Sequence, residues 1–415
     1  MTQQRTAGAI VVGAGVVGAA IAHALTQHGV RDVLLLDKGT AGGAASGRSG
    51  ALVRAHYSNA PEAALALAAQ RWFHHWEELI GGPSPFTKTG FFQFVGQHDT
   101  AKLRENVTML TGLGVPTRLV GADEIESLAP QLWADRAEIA AYEPDSGYAD
   151  PAATVAGLVA AAQRGGATLR EGVTVTSLRV TGGRVVGVET DAGALDAPIV
   201  VLANGGWSVG LARPLGLALP IRPVRVQIAF LERAGNFPRG RAGGPTIIDR
   251  ANGFYARPQG EGETLVGLSG FHDALAATGE DPAAMLDGYA RALDPAFPAL
   301  AAQQVGRRIP SLVGARTVRG HAGPLDVTAD GKAIIDRAPG IDGLYLAVGM
   351  SGSGFKKAPA IGACVAELIT TGAATTAPIA PFRLARFAEH DPILGNDYSL
   401  PDGLAAQLKR NALIH

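Results

Sequence analysis

The sequence predicts an α/β chain in which a Rossmann-type dinucleotide-binding domain, assembled from separated pieces, is joined to a second α+β domain on a mixed, largely antiparallel sheet. Three observations predict it. The N-terminus reads as strand, glycine turn, helix and strand in "AIVVGAGVVGAAIAHALTQHGVRDVLLLDK" (residues 9–38). Near the C-terminus the same order of strand, glycine loop and helix returns in "GLYLAVGMSGSGFKKAPAIGACVAELITTG". Between them lie segments of strand character, "GFFQFV", "RVQIAFLE", "PTIID", "GFYARP" and "ETLVGLS", mixed with helical stretches at 101–112 and 282–293.

The first piece carries the most chemistry. Gly13, Gly15 and Gly18 have G-x-G-x-x-G spacing between a β-branched run and a helix-forming run. Gly13 permits the tight turn, Gly15 lets the backbone approach a pyrophosphate, and Gly18 lets helix and strand pack closely. The helix N-terminus then offers free N–H groups and the positive end of a dipole to an anion. Asp37 closes the second strand, 37 − 18 = 19 residues after the last glycine, where a carboxylate can accept hydrogen bonds from ribose hydroxyls. A signal peptide lacks such a turn into a second strand, and a spanning helix needs ~20 unbroken apolar residues, so both membrane readings are excluded for this stretch.

After Asp37 the loop "GTAGGAASGRSGALVRAHYSN" (39–59) is far longer than the usual ~2–6-residue connection. Residues 150–164 read as a capped amphipathic helix and 173–180 as a strand. "GRVVGVETDAGALDAPIVVLANGG" reads as a hairpin feeding an apolar strand at 199–202. Strand 344–348, loop 349–354 and a helix from about Pro359 complete the first domain. Residues 1–85, 146–218 and 320–385 are assigned to that domain, 86–145 and 219–319 to the second, and 386–415 to a C-terminal tail.

Composition narrows the partners. The charge is −1 from 36 basic and 37 acidic residues, with no basic block, which argues against nucleic acid or an anionic membrane surface. A single cysteine, Cys364, excludes an internal disulfide and an all-cysteine iron–sulfur cluster, and its apolar helical setting implies buried packing. The ten histidines form no metal-ligand pattern, so no metal is expected. A cytoplasmic protein acting on small molecules, as a monomer or as part of a homo- or hetero-oligomer, is the resulting expectation.

The ordered set "VVGAGVVGA…LLLDKG", "ASGRSGALVR", "EPDSGYADP", "VVLANGGWS" and "GLYLAVGMSGSGFKKAPAIG" resembles the FAD-dependent amino-acid and amine oxidoreductases. These form the D-amino-acid oxidase superfamily, with a glutathione-reductase-like FAD-binding domain. The sequence is most similar to the sarcosine oxidase and dimethylglycine dehydrogenase branch, over about residues 7–385. The resemblance implies FAD contacts at Gly13, Gly15, Val16, Val17, Gly18, Asp37 and Lys38 for the ADP half. It implies further contacts at Ser46, Gly47, Arg48, Ser49, Gly50 and Ala51 beside the flavin ring, at Thr174, and at Ala203, Asn204 and Gly205. Gly349, Ser351, Gly352, Ser353, Gly354, Phe355 and Lys356 would close over another edge of the flavin.

For a substrate carboxylate the resemblance points to Arg54 with Lys356, and for the active site to Tyr255 and His272. On the residues alone, loop 46–51 reads equally as a solvated connection, Arg54 and Lys356 as surface charges, and Tyr255 and His272 as structural. The positions where relatives attach flavin covalently fall on Gly323 and near Gly47, which implies noncovalent FAD. The family's oxygen-activating lysine falls on Leu268, which puts oxygen in question as the electron acceptor. The implied reaction is hydride removal from the carbon beside a nitrogen of a small amino acid or secondary N-alkyl amine, giving an imine that hydrolyses. The alternatives are an FAD-bearing subunit of a larger amine dehydrogenase and a flavin-binding protein without catalysis. An NAD enzyme would not need the second glycine loop, and "GRSGA" and "GMSGS" each miss the serine-hydrolase G-x-S-x-G.

Overall fold

The computed structural model describes residues 6–233, 243–269, 273–274 and 282–399. Its first sheet has six strands in the order Ile334–Arg337, Leu344–Val348, Val200–Leu202, Ala9–Val12, Val33–Leu36 and Thr168–Arg170. All neighbours are parallel except the edge pair 334–337 and 344–348. The strands read as unbroken apolar runs because both faces are covered: Val11, Val33 and Val201 pack toward one side, Ile10, Leu34 and Val200 toward the other. On the first side the helix Val16–Gln27 lies between helices Gly354–Thr370 and Pro151–Arg164. Gly362 permits that closeness, since a Cβ there would meet the Ala20 backbone at 2.6 Å.

The second sheet contains nine described strands. Near one edge Ile221–Glu232 pairs along most of its length with Thr317–Thr328, and the sheet continues through Glu263–Leu268, Phe254–Gln259, Thr246–Asp249 and Phe91–Phe94. Only the pair 91–94 with 246–249 is parallel, so the sheet is mixed and largely antiparallel, as the alternating segments imply. Helix Phe297–Gly306 shares an apolar core with Phe92, Phe94, Phe254 and Val266 of this sheet.

Two helices differ from the expectation by several residues. The C-terminal helix begins at Gly354, with Pro359 inside it, rather than at Pro359. Proline is favoured in a first helical turn, but here the buried residues from Gly354 to Ala358 already belong to the packed helix. The helix expected over 282–293 spans Pro282–Gly288, ending where a glycine removes helix propensity. Asp150 caps helix Pro151–Arg164 by accepting the Ala153 N–H at 2.8 Å, and Cys364 is fully buried in its helix.

The described part of the tail, residues 386–399, is not peripheral. Asn396 N–H donates to Ser58 O at 2.9 Å, Asn106 donates to Asn396 O at 3.0 Å, and Lys102 donates to Asp397 O at 2.9 Å. Arg386, fully buried, is fixed to Asp330 at 2.8 and 3.0 Å.

Candidate functional site

A cavity of about 1120 Å³ opens at the carboxyl ends of the parallel strands and runs on between the two sheets. That location is where open α/β sheets bind ligands. The volume exceeds the ~300–1,000 Å³ of an ordinary small-ligand pocket, so a cofactor and a substrate can share it.

At one end the glycine turn is shaped as its spacing implies. Gly13 has φ +102°, and a Cβ on it would lie 2.7 Å from the Ala203 carbonyl oxygen; one on Gly18 would strike Gly13 O at 1.8 Å. Gly15 starts the helix Val16–Gln27 without a side-chain cap, and the first turn holds no acid. Ser46 Oγ accepts the Val16 N–H at 2.9 Å, while Val17 also lines the cavity. Asp37 accepts from Ala14 N–H and Gly39 N–H, both at 2.8 Å, so its carboxylate fastens the turn as well as facing the cavity. Lys38 lies 4.5 Å over the Trp207 ring and pairs with Asp287. Thr174, Ala203, Asn204 and Gly205 complete this wall.

Farther in, Ser49, Gly50 and Ala51 face the cavity from one side and Ser351 to Lys356 from the other. Ala51 and Ser351 hold φ of +51° and +50°, a left-handed conformation uncommon for residues with a Cβ. Arg48 donates to the carbonyls of Gly43 and Ala44, so its guanidinium braces the loop. The second loop is anchored by Asp326, whose carboxylate accepts Met350 N–H at 3.1 Å and whose carbonyl accepts Ser351 N–H at 3.0 Å. Burial pushes Asp326 up to about 6 despite the backbone N–H groups of Met350, Asp326 and Gly349 that favour its carboxylate. Helix Gly354–Thr370 begins there with no side-chain cap and no acid in its first turn. Gly18, Gly47 and Gly349 do not line the cavity. A Cβ on Gly47 would meet Gly42 O at 2.5 Å, and one on Gly349 would meet Thr328 Cγ2 at 2.4 Å, so these glycines serve close packing.

The inner end gathers cations around an aromatic ring. The Arg54 guanidinium carbon stands 4.6 Å from the Tyr57 ring centroid, Lys357 Nζ 4.6 Å and Lys356 Nζ 5.9 Å. Arg54 donates to His56 O, and its buried Nε has no hydrogen-bond partner among the described residues. Lys356 is pushed down to about 8 by burial, with Arg54 and Lys357 adding to the effect against the opposing influence of Tyr57. Burial alone would raise the Tyr57 phenol, but Lys356, Lys357 and Arg54 outweigh it and hold the group below its ordinary value. Its hydroxyl is likewise unpartnered among the described residues. Beneath them, Glu62 bridges Lys357 at 2.6 Å and Lys332 at 3.1 Å. Tyr255 lines the cavity from the second sheet, pushed up to about 12 by burial, and Leu268 lies beside it. His272 falls outside the described residues.

Several of these groups were invisible to sequence reasoning. Asn59 accepts the Glu62 N–H at 3.0 Å and donates to its carboxylate at 3.0 Å, a local N-terminal capping pattern readable in "NAPE". Nothing local announces that Glu62 also pairs with Lys357, 295 positions away. The same is true of Tyr398, whose hydroxyl lies 2.8 Å from the His56 ring nitrogen. His56 is pushed down to about 3, first by burial and then by Arg54, so it is neutral.

Residues 9–368 match the family described as FAD dependent oxidoreductase (DAO), and the chain belongs to that family. It is similar to the sarcosine oxidase subunit beta of Rhodobacter capsulatus, 27% identical over 409 residues covering 95% of this chain and 91% of that protein. The protein of the same name from Rhizobium meliloti is 29% identical over 388 residues, covering 91% and 88%. Among solved structures, the L-proline dehydrogenase of P. horikoshii superposes with a TM-score of 0.84 at 25% identity, covering 94% of this chain and all of that one.

The cavity fits the family's cofactor. Two helix N-termini with no acid in their first turn open onto it, the arrangement an anionic dinucleotide needs. Asp37 faces the cavity beside the first of them, and the loops at 49–51 and 351–354 line it from opposite sides.

Proposed function

We propose that this protein holds FAD noncovalently and oxidises the C–N bond of a small amino acid or secondary N-alkyl amine, giving an imine that water hydrolyses. FAD, when bound, supplies the two-electron acceptor for the hydride. Arg54 and Lys356 take the substrate carboxylate, the guanidinium in a two-point contact and the ammonium as a point charge. Tyr57 is within reach of both cations, and its free hydroxyl orients the same carboxylate. Tyr255 and Leu268 form an apolar wall that limits water. The surrounding cations disfavour an ammonium on the substrate, so the amine binds with its lone pair available and no strong protein base is needed. His56, neutral and tied to Tyr398, is placed to hold the wall rather than move a proton.

The observation that carries this reading is that the paired cations of Arg54 and Lys356 lie in one cavity with the dinucleotide cradle. Noncovalent attachment is supported by Gly323, which lines the cavity without a side chain; a Cβ there would already be 3.1 Å from Arg48 Cβ. The test is an anaerobic titration of purified holoprotein with N-methyl amino acids, D-amino acids, prolines and 2-hydroxy acids. Bleaching of the flavin by an amine, and complete release of FAD on acid denaturation, are expected. Failure of every amine to bleach it would leave a flavin-binding protein without this activity.

A second reading, an FAD-bearing subunit of a larger dehydrogenase, is favoured by Leu268 and by two relatives that are sarcosine oxidase beta subunits. Slow reoxidation in air with fast reoxidation by an artificial acceptor would support it.

A further inference from the structure

The inner end of the cavity holds more positive charge than one carboxylate neutralises. Arg54, Arg250, Lys332 and Lys356 line it, and Lys357 stands directly behind. Of the acids nearby, Glu62 is shared between Lys357 and Lys332. Asp330 is taken by the buried Arg386. Asp397 is exposed and hydrogen-bonded by the Ser58 hydroxyl, so solvent screens it. Glu143 is buried and its pKa is raised by that burial, against the pull of Ser146, the Ala55 N–H and Arg54. A ligand carboxylate between Arg54 and Lys356 would give both of them a contact, and of the five cations one is then left without a partner among the described residues.

That cation is Arg250. It follows strand Thr246–Asp249 of the second sheet, where its main-chain N–H donates to Phe94 O at 3.0 Å and its side chain lines the cavity. No described residue makes a hydrogen bond or ion pair with its guanidinium. The adjacent acid, Asp249, is fully committed to Arg308 at 2.8 Å and to both nitrogens of Asn252 at 2.9 Å. Burial, with Arg54 nearby, lowers the Arg250 pKa, and only Asp397 and Tyr398 act the other way. A guanidinium half-withdrawn from water and lacking a protein partner is a site for an oxyanion of the ligand, and its planar fork matches a carboxylate.

We propose that the substrate is a dicarboxylic secondary amine, with one carboxylate on Arg54 and Lys356 and the second on Arg250. The proposal rests on the amine-oxidising reading above. It excludes the simplest N-methyl monocarboxylic amino acids as preferred substrates, because they leave Arg250 facing the cavity unpaired.

The test measures kcat/KM for anaerobic flavin reduction with N-carboxymethyl amino acids, N-(2-carboxyethyl) amino acids and N-methylaspartate, each beside the monoamide that keeps its shape and removes one charge. A charge-assisted, two-point contact implies that the best diacid exceeds its monoamide by ~100-fold in the wild type. Arg250→Met should collapse that ratio to a few-fold, and Arg250→Lys, which keeps the charge without the fork, should leave an intermediate ratio. FAD content and melting temperature, measured for each variant, separate a binding loss from misfolding. A wild-type ratio near one, or a ratio untouched by Arg250→Met, overturns the proposal while leaving the amine-oxidising reading intact. Non-oxidisable thioethers keep the two ideas separable. If no amine reduces the flavin, the catalytic reading falls. Tighter binding of thiodiacetate than of methylthioacetate, lost in Arg250→Met and read from the flavin spectrum, would still establish the second anion site; equal binding would remove it.

Discussion

Lys356 gives the sharpest handle on the site. Its fall from 10.5 to about 8, at ~1.4 kcal/mol per tenfold, means that the surroundings of Lys356 disfavour the ammonium by about 3 kcal/mol. Because the folded value lies below the unfolded one, the free protein sheds this cost and gains stability as pH rises through about 8 toward 10.5. A ligand carboxylate has the opposite preference, since it needs the charged lysine. Its affinity should therefore be flat from about pH 6 to 7 and weaken by ~10-fold for each pH unit above 8, until Arg54 alone holds it. Spectral titration of the holoprotein with a thioether carboxylate, which has no titratable amine, isolates the lysine from substrate ionisation. Lys356→Met should bind more weakly at pH 7 and show a level profile up to pH 9. A level wild-type profile, or a slope that survives in Lys356→Met, would refute the assignment of Lys356 as a carboxylate partner.

Three further outcomes are expected. Arg54→Met removes the fork but keeps an apolar stem over Tyr57, so kcat/KM for an amino acid should fall by ~100- to 1,000-fold, with a decarboxylated analogue nearly indifferent; equal losses for both compounds would argue against carboxylate binding. Asp37→Ala should weaken FAD binding by ~1.5–3 kcal/mol, read from the dissociation constant of the apoprotein, and unchanged affinity would show that this carboxylate serves only the turn. Glu62→Gln leaves Lys357, 1% exposed, without its counter-charge and should lower stability by ~3–5 kcal/mol in denaturant unfolding at pH 7. The folded Glu62 value is depressed to about 2, so wild type should keep this contribution above about 4.5 and lose it as pH falls toward 2, and the variant should lack that acid-side loss.

Much of the cofactor end was legible in the sequence because each of its devices is local. The turn at Gly13, the uncapped helix after Gly15 and the position of Asp37 follow from spacing within a single strand–helix–strand unit. The antiparallel sheet was legible for the same reason, as alternation within short segments. At the inner end of the cavity, the residues Arg54, Tyr255 and Lys356 were singled out only by the family resemblance, and all three line that cavity. Glu62 with Lys357, His56 with Tyr398, and Arg250 among its neighbours depend on contacts between distant segments, which no periodicity encodes. Pro359 shows the converse failure: a reliable local signal for a helix start was overridden by packing of the turn before it.

The segment from Asp391 to Ser399 belongs to no strand or helix of either sheet, yet Asp397 and Tyr398 form part of the cavity wall. It is pinned through Ser58, Asp99, Lys102 and Asn106, none of which lies in the dinucleotide turn. The molecule thus separates what must stay fixed from what can drift. Exchanges in this short strip can redraw the shape and charge of the cavity's inner end while both frameworks and the glycine turn stay intact, which makes it a natural place for divergence among descendants and for directed evolution of new selectivity.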